Sequence, residues 1–544
     1  MPKYKRIRTV LYGDQRVSAG ELELLHTPAM QRLYGLRQLG LTDRVFIDAS
    51  HSRIHHVLGV LAQVDKLVNA IVGNLRRTRR DFSFGTTGGS SSIGSVELAA
   101  DVADRHSVIR VIGLLHDLTH APFGHTVEDE IKIVDSRHDQ PDRQAEAFFR
   151  LVCQVAGWLA IDAGALDSES PIKLPDEMLP VIYGAADTGD ATPEAAARLA
   201  SLISGLLTTL PAKTAEASWR LSQGDLAILL AQMDCAMTAL LHLEVLHAKD
   251  PGPEDTPRGT EYPFQVAIRN GLGASAYAHF LQRWRFDRHR DAYMLDVVGN
   301  TVCADLLDYA KRDSHFSGLR LDYDSDRIAE NFTLVSWNAG AYDLERTGHQ
   351  RPEPDRGQGP FDGWCLRTAI SLVSHKFRPD VPGELMNLLN VRFYLYERAI
   401  FHPTKCAAGA MLGTALQLLG WRTMPGGRRG SLPVHLRYVG DEVFLHDIRS
   451  ASRFVLEFFR RYEAATVVDA AIEEAASAYD EVHTGVVGEL VRLRVGQTVG
   501  EAVAEIEAAT QLLNKLAPDG FRDWSSAPRQ YSSRSRCAQR TQAE

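Results

Sequence analysis

The feature that most constrains this chain is an apolar stretch that ends in a group of polar side chains. Residues 111–115 read Val-Ile-Gly-Leu-Leu and are typical of the inner face of a helix. His116, Asp117 and His120 follow within about one helical turn, before a proline and a glycine break the pattern. Imidazole and carboxylate together suit a divalent cation such as Mn, Fe, Co or Zn. The stretch therefore predicts a helix that delivers metal ligands, with further ligands required from elsewhere.

Composition excludes several classes of protein. The chain has 544 residues, of which 44% are hydrophobic and 24% charged, as in a globular protein with a large core. Its net charge of -9 argues against nucleic-acid binding through bulk positive charge, so a nucleic-acid partner is not predicted. The six cysteines form no CxxC pair, which favours a reducing, cytoplasmic location.

Targeting and membrane segments are not predicted either. The N-terminus carries positive charge but no apolar run follows it, unlike a signal peptide. The most apolar segment, residues 227–246, is interrupted by Gln232, Asp234, His242 and Glu244, which would be costly inside a bilayer. We therefore expect no membrane partner.

Hydrophobic periodicity predicts a mainly helical chain. The chain divides into several parts. The predicted core spans residues 1–405. Within it lie a flexible Gly/Ser/Thr loop at about 76–95 and an inserted helical region at about 155–290. Residues 406–520 are predicted to form a helical or mixed region. The polar segment 521–544 is predicted to be a disordered tail.

Two other apolar helices offer the missing ligands. The upstream helix carries an Arg-x-x-His sequence at 53–56, and the downstream helix carries Asp-x-x-Asp-Tyr-x-x-Arg-Asp at 305–313. The order His, His-Asp, Asp, each on an apolar helix, resembles the site of the HD-domain metal hydrolases. The resemblance implies a mainly α fold, with an HD-domain helical core, peripheral helical insertions and a mixed α/β C-terminal region.

The chain resembles one branch of this superfamily more than the others. Residues 27–40 resemble the opening signature of the deoxynucleoside triphosphate triphosphohydrolases, and residues 52–60 resemble their RxxHSLGV helix. Residues 115–125 resemble HDxGHxPFxH, with Thr119 in place of a glycine, and residues 305–314 resemble DxxDYxxRD. Four linked motifs in the family's order are far more specific than a His-Asp pair alone.

The resemblance implies a set of metal ligands. His56, His116, Asp117 and Asp305 are expected to bind a divalent ion, which could be Mn, Mg, Fe or Co. His55, one helical step from His56, is the alternative ligand, and the Leu-Gly-Val context favours His56.

Other acidic and histidine residues are interpreted as structural. Asp234 could mimic the fourth ligand but lacks the following Tyr-x-x-Arg-Asp. Asp308 lies on a neighbouring helical face, so capping or pairing with Arg312 is expected. His51 is expected to be an ordinary surface or core-edge histidine.

The resemblance also implies a reaction. Water attacks the α-phosphorus of a deoxynucleoside triphosphate and releases a deoxynucleoside with intact triphosphate. Asp117 belongs to the catalytic group as well as to the metal site, and His120 is expected to protonate the leaving 5′-oxygen. His125 would orient the water or a phosphate, and His138 would support the same cluster.

Residues that bind the sugar are implied in the same way. Gln38 and Leu39 resemble the pair that reads the 3′-hydroxyl and excludes a 2′-hydroxyl. Tyr309 would pack where a ribose oxygen would fit, and the Asp313 carboxylate would accept a hydrogen bond from the 3′-hydroxyl.

Two arginines are implied to bind base and phosphate. Arg53 resembles the residue that contacts both, and Arg392 would meet the γ-phosphate, where its guanidinium can bind two oxygens. Two positions depart from the family. Leu306 stands where relatives place a phosphate-binding lysine, and Ile400 where an aromatic residue packs on the sugar.

Three functions follow as hypotheses. The first is a metal-dependent dNTP triphosphohydrolase that controls dNTP pools, in nucleotide homeostasis or phage defence. The second is an HD phosphodiesterase or nuclease acting on cyclic nucleotides or single strands. The third is a non-catalytic, nucleotide-sensing oligomer. The implied partners are the dNTP substrate, further copies of the chain in a tetramer or hexamer, and a nucleotide activator.

Overall fold

A computed structural model of the chain describes most of its residues. The described ranges are 4–86, 89–133, 138–166, 172–183, 191–212, 221–242, 261–338, 364–372, 378–421, 434–475 and 485–516. The expected tail at 521–544 lies outside them.

Helices dominate the described residues, which confirms the mainly α prediction. In the first half of the chain they are α1 (Ala19–His26), α2 (Pro28–Gln31), α3 (Arg53–Arg77), α4 (Ser95–Leu115), α5 (Pro141–Asp162), α6 (Leu179–Ile182), α7 (Pro193–Thr209), α8 (Gln223–Leu241) and α9 (Pro263–Gly273). In the second half they are α10 (His279–Arg283), α11 (Ala292–Val298), α12 (Ala304–Phe316), α13 (Ser325–Ala329), α14 (Asp380–Leu395), α15 (Pro403–Leu418), α16 (Val434–Arg437), α17 (Asp441–Phe459), α18 (Val468–Ala475), α19 (Gly485–Arg492) and α20 (Val499–Leu516).

Shorter helical turns connect these helices. Three are 3₁₀ turns at Arg32–Tyr34, Gly40–Arg44 and Asp176–Met178. Two are π-helical turns at Thr126–Glu130 and Tyr396–Ile400.

The strands of the described residues form three antiparallel hairpins. They are β1 (Tyr4–Thr9) with β2 (Gly13–Ser18), β3 (Asp81–Thr86) with β4 (Gly89–Gly94), and β5 (Phe332–Asn338) with β6 (Trp364–Ile370). Their registers place Tyr4 opposite Ser18, Asp81 opposite Gly94 and Phe332 opposite Ile370.

The second hairpin corrects the expected flexible loop at 76–95. Helix α3 continues to Arg77, and β3 and β4 then pair. Phe82 and Phe84 alternate with small residues and are buried in the main core, so the segment has the period of a strand. Ser83 donates its backbone N–H to the Ser336 hydroxyl at 2.8 Å, which ties β3 to β5. Burial of the two phenylalanines outweighs the Gly/Ser-rich composition.

The core consists of two apolar clusters. The larger one surrounds the packed pair α3 and α4, and includes residues of α5, α7, α8 and α12. The smaller one joins α15, α17, α19 and α20 to Phe123 and Val127, which follow the His-Asp motif. The described residues after 403 are helical apart from one bridge between Val467 and Thr498, so the expected mixed α/β character is not seen there.

Among the described residues, two helices have the length and apolar composition of a membrane span, Arg53–Arg77 and Gln223–Leu241. In the most apolar 18-residue part of each helix, 67% and 72%, respectively, is buried inside the structure. The same length and composition are found in core helices, and here both helices lie in the larger apolar cluster.

Candidate active site

Helix α3 delivers His56 to the site and α12 fixes its orientation. His56 is completely buried, and its Nδ1 donates to Asp308 Oδ2 at 2.8 Å. Asp308 also accepts from Arg312 Nε at 2.8 Å, which confirms the predicted pairing. A Cβ atom on Gly59 would lie 1.9 Å from Asp308 Oδ1, so glycine is required for this close approach. Since a carboxylate only accepts, His56 holds a proton on Nδ1 and turns Nε2 towards the site, where loss of the second ring proton would free a lone pair for a metal.

Helix α4 ends at His116, which has the same tautomer. Its Nδ1 donates to the Gly113 carbonyl oxygen at 2.8 Å, leaving Nε2 as an acceptor. The Nε2 atoms of His56 and His116 lie 3.3 Å apart. Two acceptors at this distance repel one another unless a cation or a shared proton lies between them. The pair therefore has the chemistry of a metal site.

Two carboxylates complete the cluster. Asp305 Oδ1 lies 3.1 Å from His56 Nε2, and Asp117 Oδ2 lies 3.7 Å from the same atom. Asp117 Oδ1 is 3.6 Å from His116 Nε2. Asp117 also accepts a hydrogen bond of 2.6 Å from Arg53. Two imidazoles and two carboxylates are a donor set that suits a divalent transition metal.

The electrostatics of this cluster favour an added positive charge. Burial alone would raise the pKa of Asp117, but Arg53 and the neighbouring histidines hold it well below its usual range. Burial alone would lower the pKa of His56, yet the hydrogen bonds to Asp305 and Asp308 raise it to about 10. The carboxylates of Asp117, Asp305 and Asp308 therefore favour a positive charge at His56, and a divalent cation would take the place of the proton that its Nε2 holds without metal.

A second cluster joins two histidines through a carboxylate. The Nδ1 atoms of His120 and His138 each donate to Glu128 Oε2 at 3.0 Å. The two rings stack with centroids 3.7 Å apart. The other oxygen of Glu128 accepts from the Ala121 N–H at 2.8 Å and from Arg143 at 2.9 Å. Both imidazoles therefore hold a proton on Nδ1 and turn Nε2 away from Glu128.

Sequence reasoning missed Glu128. It lies in the π-helical turn Thr126–Glu130, eight residues after His120, and its side chain is fully buried. The only local signal is an acidic residue shortly after the His-Asp motif, next to the equally acidic Asp129. The hydrogen bonds identify Glu128, rather than Asp129, as the residue of the cluster. Its partners come next to it only when the chain folds.

His120 and His125 differ in their surroundings. Burial, Arg53 and His138 lower the pKa of His120 to about 3, against the opposing effect of Glu128. Its Nε2 lies 3.2 Å from Asp117 Oδ1. The side chain of His125 is 57% exposed, and its Nδ1 pairs with Asp129 at 2.8 Å. His120 is thus a buried neutral imidazole, whereas His125 is in contact with solvent.

Thr119, the departure from the family pattern, has a structural role. Its hydroxyl donates to the carbonyl oxygen of His138, and its own carbonyl accepts from Arg143. Its φ is not positive, so the side chain causes no strain. Gly124 does need its freedom, because φ is +48° and a Cβ would lie 2.4 Å from Arg53 Nη2.

The C-terminal helices also support the motif. Asp441, at the start of α17, accepts the Phe123 N–H at 2.7 Å and the Arg37 N–H at 2.9 Å. Phe123 has a φ of 61°, which is unusual for a residue with a side chain. The Asp441 carboxylate therefore holds the turn after His120 in an uncommon conformation.

The two clusters open into one cavity of about 730 Å³, which is the size of a small-molecule site. Most of the predicted site residues line it: Gln38, Leu39, Arg53, His116, Asp117, His120, His125, His138, Asp305, Tyr309, Asp313 and Arg392. His56 lies behind the surface of the cavity, with no exposed area. The structure thus brings together residues from four separate stretches of the chain.

The predicted sugar residues have distinct surroundings. Gln38 Oε1 is buried and has no hydrogen-bond partner among the described residues, so it can accept one from a ligand. Asp313 accepts from His51 Nε2 at 2.8 Å, and His51 stacks on Phe316. His51 was expected to be an ordinary histidine, and this expectation is corrected. Burial raises the pKa of Tyr309 well above its usual value, so its hydroxyl keeps its proton.

The structure also shows where the alternative metal ligands and the two other departures from the family pattern lie. His55 is exposed and pairs with Ser52, so His56 is the histidine in the cluster. Asp234 pairs with Arg269 at 3.1 Å and does not line the cavity. Leu306 and Ile400, the two other departures, both line it.

Fold and site together define a helical protein with a His₂Asp₂ cluster of the HD type. Comparison with known proteins agrees. The chain is 30% identical over 145 residues to an HD domain-containing protein of Acanthamoeba polyphaga mimivirus, covering 27% of this chain and 29% of that protein. It is 32% identical over 127 residues to the deoxynucleoside triphosphate triphosphohydrolase SAMHD1 homolog of Dictyostelium discoideum, covering 23% and 20%. The human SAMHD1 triphosphohydrolase is 29% identical over 122 residues, covering 22% and 16%.

These comparisons identify relatives of part of the chain. The chain matches less than a third of the length of each of these proteins. No family model matches it. The chain is related to HD-domain proteins, SAMHD1 triphosphohydrolases among them, and the relationship supports an HD hydrolase.

Proposed function

We propose that this protein hydrolyses deoxynucleoside triphosphates to a deoxynucleoside and inorganic triphosphate. The observation that carries the proposal is the single cavity into which the metal cluster, the three histidines and the sugar-binding candidates all open. The names of the SAMHD1 relatives support the same substrate class.

Four residues would hold the metal: His56, His116, Asp117 and Asp305. Their ligand atoms already face one another, and Asp308 and Gly113 fix the two imidazoles in the tautomer that a metal requires. When bound, a divalent metal would supply Lewis-acid polarisation of a phosphoryl oxygen. We propose Mn, Mg, Fe or Co as the metal.

The histidines around Glu128 would position the attacking water. Glu128 holds the Nδ1 protons of His120 and His138, so their Nε2 lone pairs can accept hydrogen bonds from water. Asp117 would fix the water on the metal side, since its Oδ1 lies 3.2 Å from His120 Nε2. This arrangement orients a nucleophile between side chains whose positions are fixed by Glu128.

We assign the proton for the leaving 5′-oxygen to His125 rather than to His120. Both nitrogens of His120 face carboxylates, whereas His125 Nε2 has no hydrogen-bond partner among the described residues. Asp129 pairs with His125 Nδ1 and would stabilise the protonated ring. Solvent contact allows His125 to regain a proton after each turnover.

The sugar and phosphate residues would set the substrate class. Gln38 Oε1 can accept from a 3′-hydroxyl, and Asp313, held by His51, can do the same. Tyr309 lines the same cavity and would leave no room for a 2′-hydroxyl. Arg392 lines the same cavity and would bind the terminal phosphate.

The decisive experiment offers each dNTP, alone and in mixtures, to the Mn-supplemented protein and separates the products by chromatography. We expect equimolar deoxynucleoside and triphosphate, with no product from the matching rNTP. Deoxynucleoside mono- or diphosphate products would contradict cleavage of the bond between the α-phosphorus and the 5′-oxygen with release of intact triphosphate. If no dNTP or mixture reacts, the proposal fails, and cyclic nucleotides and single strands become the next substrates.

We also propose that the chain forms a homo-oligomer. Helix α14 carries Met386, Leu389 and Phe393 at helical spacing, and they are 57%, 42% and 59% exposed. The same helix carries Arg392, so an interface there would adjoin the cavity. Sedimentation of the wild type and of Phe393→Glu, with and without dNTP mixtures, tests the oligomer and a nucleotide activator together.

We propose further that the protein acts in the cytoplasm, where it lowers dNTP pools, including during phage infection. The cysteines of the described residues are free, which supports a reducing compartment. The test is a measurement of cellular dNTP pools with the wild-type protein and with Asp117→Ala.

A further inference from the structure

A second, smaller cavity lies behind the turn that carries the catalytic residues. Its volume is about 160 Å³, and Leu118 forms part of its wall. The adjacent Asp117 and His120 line the catalytic cavity instead. The turn thus separates two cavities, and the proposed function uses only one of them.

Arg150 of helix α5 lines this second cavity and lacks a strong partner. The residue is only 5% exposed, and its Nε atom is buried with no hydrogen bond. The nearest carboxylate oxygen, on Glu146, is 3.9 Å from Nε, too far for a hydrogen bond. The guanidinium lies over the ring of Tyr438 at 4.5 Å. A buried guanidinium N–H without a hydrogen-bond acceptor is costly, and the 3.9 Å contact with Glu146 does not satisfy it, which points to a missing anionic partner.

Arg32 adds a second positive charge to the same cavity. Its guanidinium donates to the carbonyl oxygens of Leu118 and His120, the latter at 2.8 Å, and lies 5.8 Å from the Tyr438 ring. Burial lowers the pKa of Arg32 only to about 10, so the group is charged at neutral pH. These bonds hold Arg32 in place at the cavity wall.

The other polar groups of the cavity do not neutralise these charges. Both amide atoms of Gln154 are occupied, Oε1 by the Ala29 N–H and Nε2 by the Val181 carbonyl. The phenol of Tyr438 has a pKa raised by burial to about 12, so it remains a neutral donor. Within the described part of the chain, Arg150 therefore meets no anion inside the cavity.

We infer that this cavity binds a small oxyanion of the phosphate class, held by Arg150 and Arg32. A planar guanidinium offers paired donors to such an anion, and Tyr438 can supply a further hydroxyl donor. Pockets for drug-sized ligands are roughly 300–1,000 Å³, so this one suits an inorganic anion rather than a whole nucleotide. Orthophosphate and a short polyphosphate share this chemistry.

The test measures calorimetric binding of orthophosphate and of tripolyphosphate to the full chain in phosphate-free buffer. Arg150→Met removes the charge and keeps much of the volume, and Ala29→Met fills the cavity without changing either arginine. Arg392→Met reports on the catalytic cavity, and Arg460→Met changes an exposed arginine of the α17 terminus. We expect binding to weaken roughly 10- to 100-fold in Arg150→Met and Ala29→Met, the loss of about one charge-assisted hydrogen bond or more.

Binding that survives in Arg392→Met and Arg460→Met, but not in the two cavity variants, supports the site. Tighter binding of one anion identifies which of them is the ligand. The inference is overturned if neither anion binds the wild type, if the cavity variants bind normally, or if only Arg392→Met loses binding. Should Arg150→Met fail to fold, Ala29→Met alone decides.

Thermal unfolding supplies an independent measurement. Without phosphate, Arg150→Met should melt no lower than the wild type, because a buried charge without a hydrogen bond has been removed. The anion should then raise the Tm of the wild type and leave that of Arg150→Met unchanged. An equal rise in both proteins would overturn the inference.

Discussion

The two histidine clusters of the catalytic cavity are adjacent, yet the ring nitrogen atoms of each cluster have different kinds of hydrogen-bond partner. In the cluster of His56 and His116, each Nδ1 is fixed by a different partner, and the two Nε2 atoms face one another at 3.3 Å. In the cluster of His120 and His138, one carboxylate oxygen of Glu128 accepts from both Nδ1 atoms. The first cluster needs a cation and the second does not.

Because of this difference, substitutions in the two clusters should impair the protein in two distinct ways. Loss of a group in the first cluster should change metal content, and turnover should fall as a consequence. Loss of Glu128 should change turnover while the metal stays. Four substitutions test this contrast, from the largest effect to the smallest.

The largest effect is expected for Asp117→Ala. The change removes a metal ligand and leaves the buried Arg53 guanidinium without its partner at 2.6 Å. Metal content measured by mass spectrometry should fall close to zero, and dNTP turnover should drop by roughly 10³-fold or more. Asp104→Ala, on the preceding helix α4 and paired with Arg283 at the surface, should retain both. Turnover that persists in Asp117→Ala would refute the proposed mechanism.

Glu128→Gln should separate turnover from metal content. An amide oxygen cannot replace a carboxylate that accepts from two imidazoles, a backbone N–H and an arginine at once. We expect kcat to fall by about 10²- to 10⁴-fold with wild-type metal content. The exposed Glu97→Gln is the control. If the metal is lost along with turnover, the two clusters are not independent.

Asp308→Asn tests the support of the first cluster rather than its ligands. The amide keeps the shape of the side chain but weakens the hydrogen bond that orients His56. Metal affinity, measured by titration, should fall about 10- to 100-fold, with much of the turnover restored at saturating metal. Asp322→Asn, at an exposed site, should bind metal normally. Unchanged affinity in Asp308→Asn would remove Asp308 from the site.

Asp234→Asn should leave both clusters unaffected and change only the pH dependence of stability. Burial raises the pKa of Asp234 from 3.8 to about 6, so its contribution to stability is present below pH 4 and is lost as the pH rises through 6. The loss is on the order of 3 kcal/mol, and the variant should lack it. Urea unfolding at pH 4, 5, 6 and 7 measures this difference. Parallel pH profiles for the two proteins, or a change in metal content, would contradict the assignment.

The sequence predicted much of the metal site because its signals are local. His116, Asp117 and His120 follow one apolar run, and the motifs around His56 and Asp305 lie on helices of clear periodicity. The same periodicity explains why most helices could be predicted. The hairpin at 81–94 was missed because its Gly/Ser-rich composition concealed the alternation of two buried phenylalanines.

The supporting residues could not be predicted because their partners are distant in the chain. Asp308 is 252 positions from His56, His51 is 262 from Asp313, and Asp441 is 318 from Phe123. No distinguishing pattern surrounds His51 or Asp441, and the motif that contains Asp308 indicates Arg312 rather than His56 as its partner. Only the hydrogen bonds show what these residues do.

By itself, the sequence singled out most of the polar residues that line the larger cavity and most of the helices that lie beside them. Ligand spacing and apolar periodicity repeat within one or two helical turns, where backbone geometry leaves few alternatives. The tertiary structure alone decided which tautomer each histidine adopts, which carboxylate binds it and where the Arg150 Nε atom is left without a hydrogen bond. Those outcomes depend on the close packing of segments hundreds of residues apart, and burial then makes each unmatched donor, acceptor or charge costly.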